Sequence, residues 1–214
     1  MKALNKSVFK SGLVAALLVF AVQTQAGGLE QFKTFVSGTH SAKGDFVQRQ
    51  MKVVNGEMKL SDQSSGTFMF ARPGKFIWLY QKPFEQLLQA DGEKMYLYDK
   101  DLNQVTTRLL GNALSSSPAA ILFGSNDLES NFTLKDVGQK DAMDWLQAVP
   151  KDKDSTFTLI SIGMQNGMPR EMDLRDNFGK TTIILLQNVE RNPALKADQF
   201  KFVIPPGADV FNPQ

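Results

Sequence analysis

Apolar and polar positions along this chain change their period several times, and each period predicts an element. Between residues 29 and 40, Leu29, Phe32, Phe35, Val36 and Thr39 fall near one stripe at helical spacing, which predicts an amphipathic helix ending before Lys43-Gly44. Residues 45–54 and 57–60 then read as a hairpin around Asn55-Gly56, a pair suited to a tight turn, with a polar loop over 61–65. From Gly66 to Asp99 the short runs 67–70, 76–80, 86–89 and 95–98 are rich in aromatic and aliphatic residues. Pro73-Gly74, Pro83 and Asp91-Gly92 separate them, so the stretch reads as two consecutive hairpins, which residues 103–110 extend.

The stretch 66–99 organises the rest. A two-residue turn at Pro73-Gly74 pairs Arg72 with Lys75, Phe70 with Ile77 and Phe68 with Leu79. The side-chain period of two then puts Arg72 on the face of Phe68, Phe70, Ile77 and Leu79, leaving Met69, Phe76, Trp78 and Tyr80 on the other. A solvated antiparallel sheet alternates apolar with polar. This one is apolar on both sides, so both faces are covered or one lines a cavity.

Beyond Gly111 the pattern changes. Ser117 is a candidate N-cap, Pro118 a first helical residue and Gly124 a stop, around a run containing Leu122 and Phe123 that is apolar almost all round. So short a helix is unstable alone and must rest on something apolar; the sheet face beside Arg72 is the expected support. Strand patterns return at 132–134, 143–149, 156–162, 171–176, 181–188 and 199–204. The tally is about eleven strands and two helices, a mainly β single domain built on a curved antiparallel sheet or barrel with helices packed against it.

The N-terminus stands apart from this grammar. Lys2, Lys6 and Lys10 precede an apolar run over 13–22 and then Thr24-Gln25-Ala26, the layout of a secretory signal peptide over residues 1–26. That run is well short of the about 20 residues a spanning helix needs. Residues 27–214 are the expected mature domain, soluble and exported. The chain has no cysteine, so neither lipidation of a new N-terminus nor a disulfide is available. Of 24 basic residues three lie in residues 1–26, which leaves 21 against 22 acidic ones. With that balance and no basic patch, nucleic acid is excluded as a partner.

Catalytic chemistry is thin. The one histidine, His40, sits at the end of the first predicted helix, and the usual nucleophile, phosphate, dinucleotide and zinc motifs are missing. No metal, cofactor or catalytic set is expected. Carboxylate pairs such as Asp99/Asp101 and Asp173/Asp176 lie in or beside turns, where aspartate serves local hydrogen bonding. Sixteen phenylalanines and nine methionines supply either an ordinary core or an adaptable apolar cavity. Arg72 is either a solvated turn residue or a guanidinium aimed at an apolar concavity, in need of acceptors such as carbonyls at the ends of covering helices.

One set of residues carries a family resemblance. It runs through Arg72-Pro73-Gly74-Lys75-Phe76 with Trp78 and Tyr80, Asp91-Gly92, Tyr98-Asp99, Leu102 with Gln104-Val105, and Ser117-Pro118-Ala119 with Leu122. It continues through Asp176 with Gly179, Asn192, Phe200 with Phe202, and Pro205-Pro206-Gly207-Ala208-Asp209-Val210. In order and spacing the chain resembles the outer-membrane lipoprotein carrier family, LolA, over nearly the whole mature length; residues 51–60 match loosely. The resemblance implies an unclosed β-barrel with a helical lid over an apolar cavity in the Gram-negative periplasm. It implies acylated lipoprotein cargo, an inner-membrane ATP-driven release complex that loads it, and an outer-membrane receptor that accepts it. It places the family's lid-latching arginine on Arg72, and the acyl-chain cavity is expected to include Phe68, Phe70, Ile77, Leu79, Leu122 and Phe123. The alternative is a periplasmic sensor or interaction domain of related fold that detects lipoproteins or lipids. A monomer is expected.

Overall fold

The computed structural model describes residues 26–110, 128–153 and 155–212. The predicted signal segment and the predicted apolar helix with Leu122 and Phe123 lie outside the described residues. A helix, α1 (Gly28–Gly38), leads into β1 (Ser41–Val54), β2 (Glu57–Ala71), β3 (Lys75–Lys82), β4 (Gln86–Asp91), β5 (Lys94–Asp99) and β6 (Gln104–Leu109). After a short helix, α2 (Leu128–Asn131), come β7 (Phe132–Lys140), β8 (Met143–Pro150), β9 (Phe157–Gln165), β10 (Met168–Asp176) and β11 (Thr181–Arg191). A 3-10 turn (Ala197–Phe200) and a three-residue strand, β12 (Asp209–Phe211), complete it.

All twelve strands form one sheet in the order β12-β6-β5-β4-β3-β2-β1-β11-β10-β9-β8-β7. Its outermost strands, β12 and β7, are not paired to each other, so the curved sheet is an unclosed barrel. Every neighbour pair is antiparallel except β12 with β6. The long hairpin β1–β2 is the spine, because β1 also pairs with β11 and joins the two halves.

The inner face holds the core. Phe46, Phe70, Phe76, Ile160, Ile162, Met172 and Ile184 are at most 1 % exposed and belong to one cluster. Helix α1 lays Phe32, Phe35 and Val36 into this cluster, against β7–β10. Its first turn lies so close to β8 that a Cβ on Gly28 would stand 2.7 Å from the Asp144 carbonyl oxygen, which is why glycine opens the helix. Gln31 fixes the same junction, donating to Asp144 Oδ2 at 2.6 Å and accepting from Gly167 N at 3.0 Å. At the other end of α1, Asn192 accepts from His40 N at 2.8 Å and donates to the Gly38 carbonyl at 3.0 Å.

Three sequence expectations are corrected. Residues 61–65 are strand, not loop, because β2 runs unbroken alongside β1 with a bulge at Gln50/Met51. Residues 199–204 are not a strand: Phe200 is buried from the 3-10 turn, which packs on β3 and β4, and Phe202 stacks on Tyr96 with ring centroids 4.4 Å apart. This tail needs side-chain burial on the sheet face, not ladder pairing at an edge. The extra strand is β12, which the sequence conceals in three residues after Pro205-Pro206-Gly207.

The third correction is register. Phe70 faces Phe76 and Phe68 faces Trp78, with Ala71 opposite Lys75. The turn therefore holds three residues, Arg72-Pro73-Gly74, with Gly74 at φ +68°, where glycine is unstrained. One residue of slip exchanges the faces of a whole strand. So Phe76 and Trp78 join Phe68 and Phe70 on the inner face, while Ile77 and Leu79 point outward.

Candidate functional site

Aromatic side chains from three adjacent strands meet on the inner face. Phe46 of β1 stacks on Trp78 of β3 at 4.0 Å between ring centroids, and Phe68 of β2 stacks on the same indole at 5.8 Å. Tyr80 closes the group edge-on to Phe46 at 5.2 Å, its hydroxyl donating to Gln48 Oε1 at 3.1 Å. Burial pushes the Tyr80 hydroxyl above its ordinary range, with the hydrogen bonds pulling the other way. Such rings offer large, flat apolar area with few rotatable bonds, suited to contact with flexible hydrocarbon. Gly44 makes room for the cluster: a Cβ there would stand 3.0 Å from the Phe68 ring.

Arg72 sits where this face meets the exit of α1. It follows Phe68 and Phe70 along the inner parity of β2, with its guanidinium carbon 5.2 Å from the Phe70 ring centroid. Its Nε donates to the Thr39 carbonyl, the C-cap of α1, at 3.0 Å, and its backbone N–H donates to His40 O at 2.8 Å. Burial pulls its pKa down to about 10, so it remains a cation at neutral pH. The arrangement is a half-buried charge at the margin of an aromatic wall, bonded to the end of a helix.

Of the expected cavity residues, Phe68 and Phe70 are on the inner face and nearly inaccessible. Ile77 and Leu79 are half-buried on the outer face, and Ile77 shares a cross-strand row there with Gln89 and Tyr96. Phe202 of the C-terminal tail covers that row by stacking on Tyr96. The two-sided apolar strands thus have two covers, the core inside and the tail outside. Sequence reasoning left Phe46 unassigned and placed Phe76 and Trp78 on the wrong side. A signal was present: pairing aromatic with aromatic across β2 and β3 selects the observed register, and the two-residue turn does not.

The outer face of the other half carries a small pocket of about 240 Å³ bordered by Trp145, Lys140, Ser161 and Asp173. Burial raises the pKa values of both Asp173 and its neighbour Glu171. Among the described residues no group of three or more histidine, cysteine or acidic side chains is placed to hold a metal. No helix of the described residues is long and apolar enough to cross a membrane.

The comparisons with known proteins agree with this architecture. The family model described as "Outer membrane lipoprotein carrier protein LolA" matches residues 37–203. The chain belongs to the LolA family. A relative from Cupriavidus pinatubonensis, named outer-membrane lipoprotein carrier protein, is 53% identical over 199 residues, 92% of this chain and 94% of the relative. One of the same name from Ralstonia nicotianae is 50% identical over 207 residues, 96% of each. Among solved structures, an uncharacterized conserved protein from Thermus thermophilus has a TM-score of 0.53 at 12% identity, covering 86% of this chain and 96% of that one. A LolA superfamily protein from Nitrosomonas europaea has a TM-score of 0.50 at 9% identity, covering 83% and 99%. At such identities these two speak for the fold alone.

Proposed function

We propose that this chain is a soluble periplasmic carrier of acylated lipoproteins, not an enzyme. It takes cargo from an inner-membrane ATP-driven release complex and passes it to an outer-membrane receptor, shielding the acyl chains in transit. The observation that carries this reading is the aromatic inner wall Phe46–Phe68–Trp78 with the half-buried Arg72 at its margin, in a chain whose relatives are named for lipoprotein carriage. Residues 1–26 serve as the signal peptide, and residues 27–214 form one carrier domain that acts as a monomer.

The mechanism follows from the chemistry of the wall. Hydrocarbon leaving water gains roughly 25 cal/mol per Å² of apolar surface, so an acyl chain has reason to enter wherever the core parts. Release without ATP needs an empty state with bonds of its own. Arg72 supplies one, its charged Nε–H on the Thr39 carbonyl, and so latches the closed form. Leu122 and Phe123 are proposed to face the acyl chains from the covering segment.

The test is mass spectrometry of protein purified gently from the periplasm, paired with titration of an environment-sensitive apolar dye. Bound acylated protein and saturable dye uptake, reversed by fatty acid, are expected. A folded protein that carries no acylated cargo and takes up no dye would show that the inner face is only a filled core.

A further inference from the structure

Antiparallel pairing sends each hairpin turn to one of two ends of the sheet, and the two ends differ in chemistry. At the end that holds Arg72 lie the turns at Gly74, Gly92, Ala142 and Gly167, and none of these bears an exposed large apolar side chain. The opposite end is a row of them. Val53, Met58 and Leu60 on the β1–β2 arm are 60%, 51% and 53% exposed, Phe84 after β3 70%, Leu102 after β5 67% and Phe178 after β10 89%. Single exposed apolar residues are ordinary on any surface. Their gathering on four turn tips at one end, with none on the described hairpin turns of the other, where Leu109 at the end of β6 is 64% exposed, is not.

The arm also stands clear of its neighbours. Pairing with β11 stops at Met51 and pairing with β3 stops at Ser65, so residues 52–59 project past both adjacent strands. There Val53 faces Met58 and Lys52 faces Lys59, giving the tip an apolar pair beside a basic pair.

Lysine accompanies each tip. Lys52 and Lys59 adjoin Val53 and Met58; Lys82, Lys100 and Lys180 each lie two positions from Phe84, Leu102 and Phe178. Several of the acidic residues here are engaged locally. Glu57 pairs with Lys59 at 3.5 Å and Glu85 with Lys100 at 2.9 Å. Asp176 Oδ1 accepts from the backbone of Phe178 and Lys180, and Asp99 Oδ1 from that of Leu102. Asp62, Asp101, Asp152 and Asp209 are further exposed acids toward this end. Lys52, Lys82 and Lys180 form no ion pair among the described residues.

We propose that this rim is a membrane-contacting surface, its apolar tips entering the interfacial zone of a bilayer rich in anionic phospholipid while the flanking lysines rest at the phosphates. Side chains with an apolar stem and a cationic head suit that boundary, and each basic residue near an anionic surface adds attraction. A protein partner fits less well. Protein interfaces need a contiguous, desolvated core and are depleted in lysine, whereas these tips are separate projections that a fluid surface can accommodate one by one. The surface is inferred independently of the carrier reading: it lies on the turn tips and uses none of the inner wall.

The experiment is co-sedimentation of the protein, purified from the periplasmic fraction, with vesicles of equal phosphatidylcholine and phosphatidylglycerol, against phosphatidylcholine alone. The mixed vesicles should bind it, less strongly as salt is raised. Phe84→Ser with Phe178→Ser should weaken binding by about tenfold or more, the scale of losing two buried aromatic side chains. Lys52→Gln with Lys82→Gln and Lys180→Gln should remove the salt dependence. All these positions are exposed, so thermal melts should match wild type and separate lost binding from lost folding. The proposal is overturned if wild type stays in the supernatant with mixed vesicles, if both vesicle types bind it equally, or if the double serine variant binds as wild type. Concentration-dependent dimers abolished by that variant, without vesicle binding, would assign the rim to a second copy of the chain and also overturn it.

Discussion

At the scale of single residues, the most informative side chains are those whose surroundings oppose their chemistry. Arg72 keeps its charge in a half-buried position, with the carbonyl at the end of α1 and the Phe70 ring among its contacts. A charged hydrogen bond contributes about 1.5–3 kcal/mol, so Arg72→Leu should load cargo but hand it to purified receptor about tenfold less well. Arg72→Lys should fall between, because ammonium lacks the planar fork. Transfer of a labelled lipoprotein reads this out, and wild-type transfer by Arg72→Leu would return the residue to a purely structural role. Asp173 and Glu171 make the opposite case on the outer face. Burial is the first cause of both raised pKa values; at Asp173, Lys140, Arg175 and a hydrogen bond with Glu171 pull downward, whereas at Glu171 the charge of Asp173 adds to the rise and Lys140 and Arg49 oppose it. A carboxyl group whose folded pKa is raised resists ionisation, so stability falls as pH climbs from the ordinary carboxylate range through the raised values, then levels. Asp173→Asn should therefore raise the melting midpoint at neutral pH and leave it unchanged in acid, where aspartate is protonated in both states. A midpoint that rises equally at both pH values would point to packing instead of charge.

Elements depend on close approach as much as on propensity. Gly66 sits where β2 slips one residue against β3, and a Cβ there would lie 1.8 Å from the Leu79 carbonyl oxygen. No side-chain rotation relieves a clash with backbone, so Gly66→Ala should lower stability by about 1–3 kcal/mol or more in a denaturant titration. The C-terminal tail is an element without regular structure over most of its length. It is held by Phe200 on β3 and β4, Phe202 on Tyr96, and Asn103 donating to the Gly207 carbonyl at 2.8 Å. Phe200→Ala should cost about 3–5 kcal/mol, the usual loss for a buried phenylalanine. A cost near zero would mean that the tail is not part of the cooperative fold. The alternation of Ile77 and Leu79 with Phe76 and Trp78 required either that both faces be covered or that one line a cavity; it did not say which face the tail takes.

For the whole molecule, the open sheet separates two kinds of apolar surface in space. The inner wall is apolar and mostly closed to water, whereas the turn tips at one end are apolar and bathed in it. Between them β1 and β2 form a continuous ladder from the α1 junction to the projecting arm. Shortening the arm by deleting residues 53–58 and closing it with Asn-Gly should leave the thermal midpoint within a few degrees of wild type, since those residues bury little. A large loss of stability would show that the arm supports the sheet rather than extending from it.

The sequence alone determined a great deal, because strand and turn chemistry is local. Period-two runs, Asn55-Gly56 and Asp91-Gly92 marked most strands, the Phe32/Phe35/Val36 stripe marked α1, and the ordered motifs from Arg72 to Val210 marked the family. It could not determine which face of β3 is inside. A two-residue and a three-residue turn at Arg72-Pro73-Gly74 differ by one position, and both leave apolar side chains on both faces. The choice was made by packing: Phe46 stacks on Trp78 only in the observed register, and the tail then covers Ile77's row from outside. The fate of residues 199–204 and the strand at 209–211 were decided the same way, because Phe200 and Phe202 gain more from burial on a sheet face than from a ladder of their own. Gathering the apolar turn tips at one end was likewise a product of topology. Residues as far apart as Val53 and Phe178 share that end because β11 returns to pair with β1.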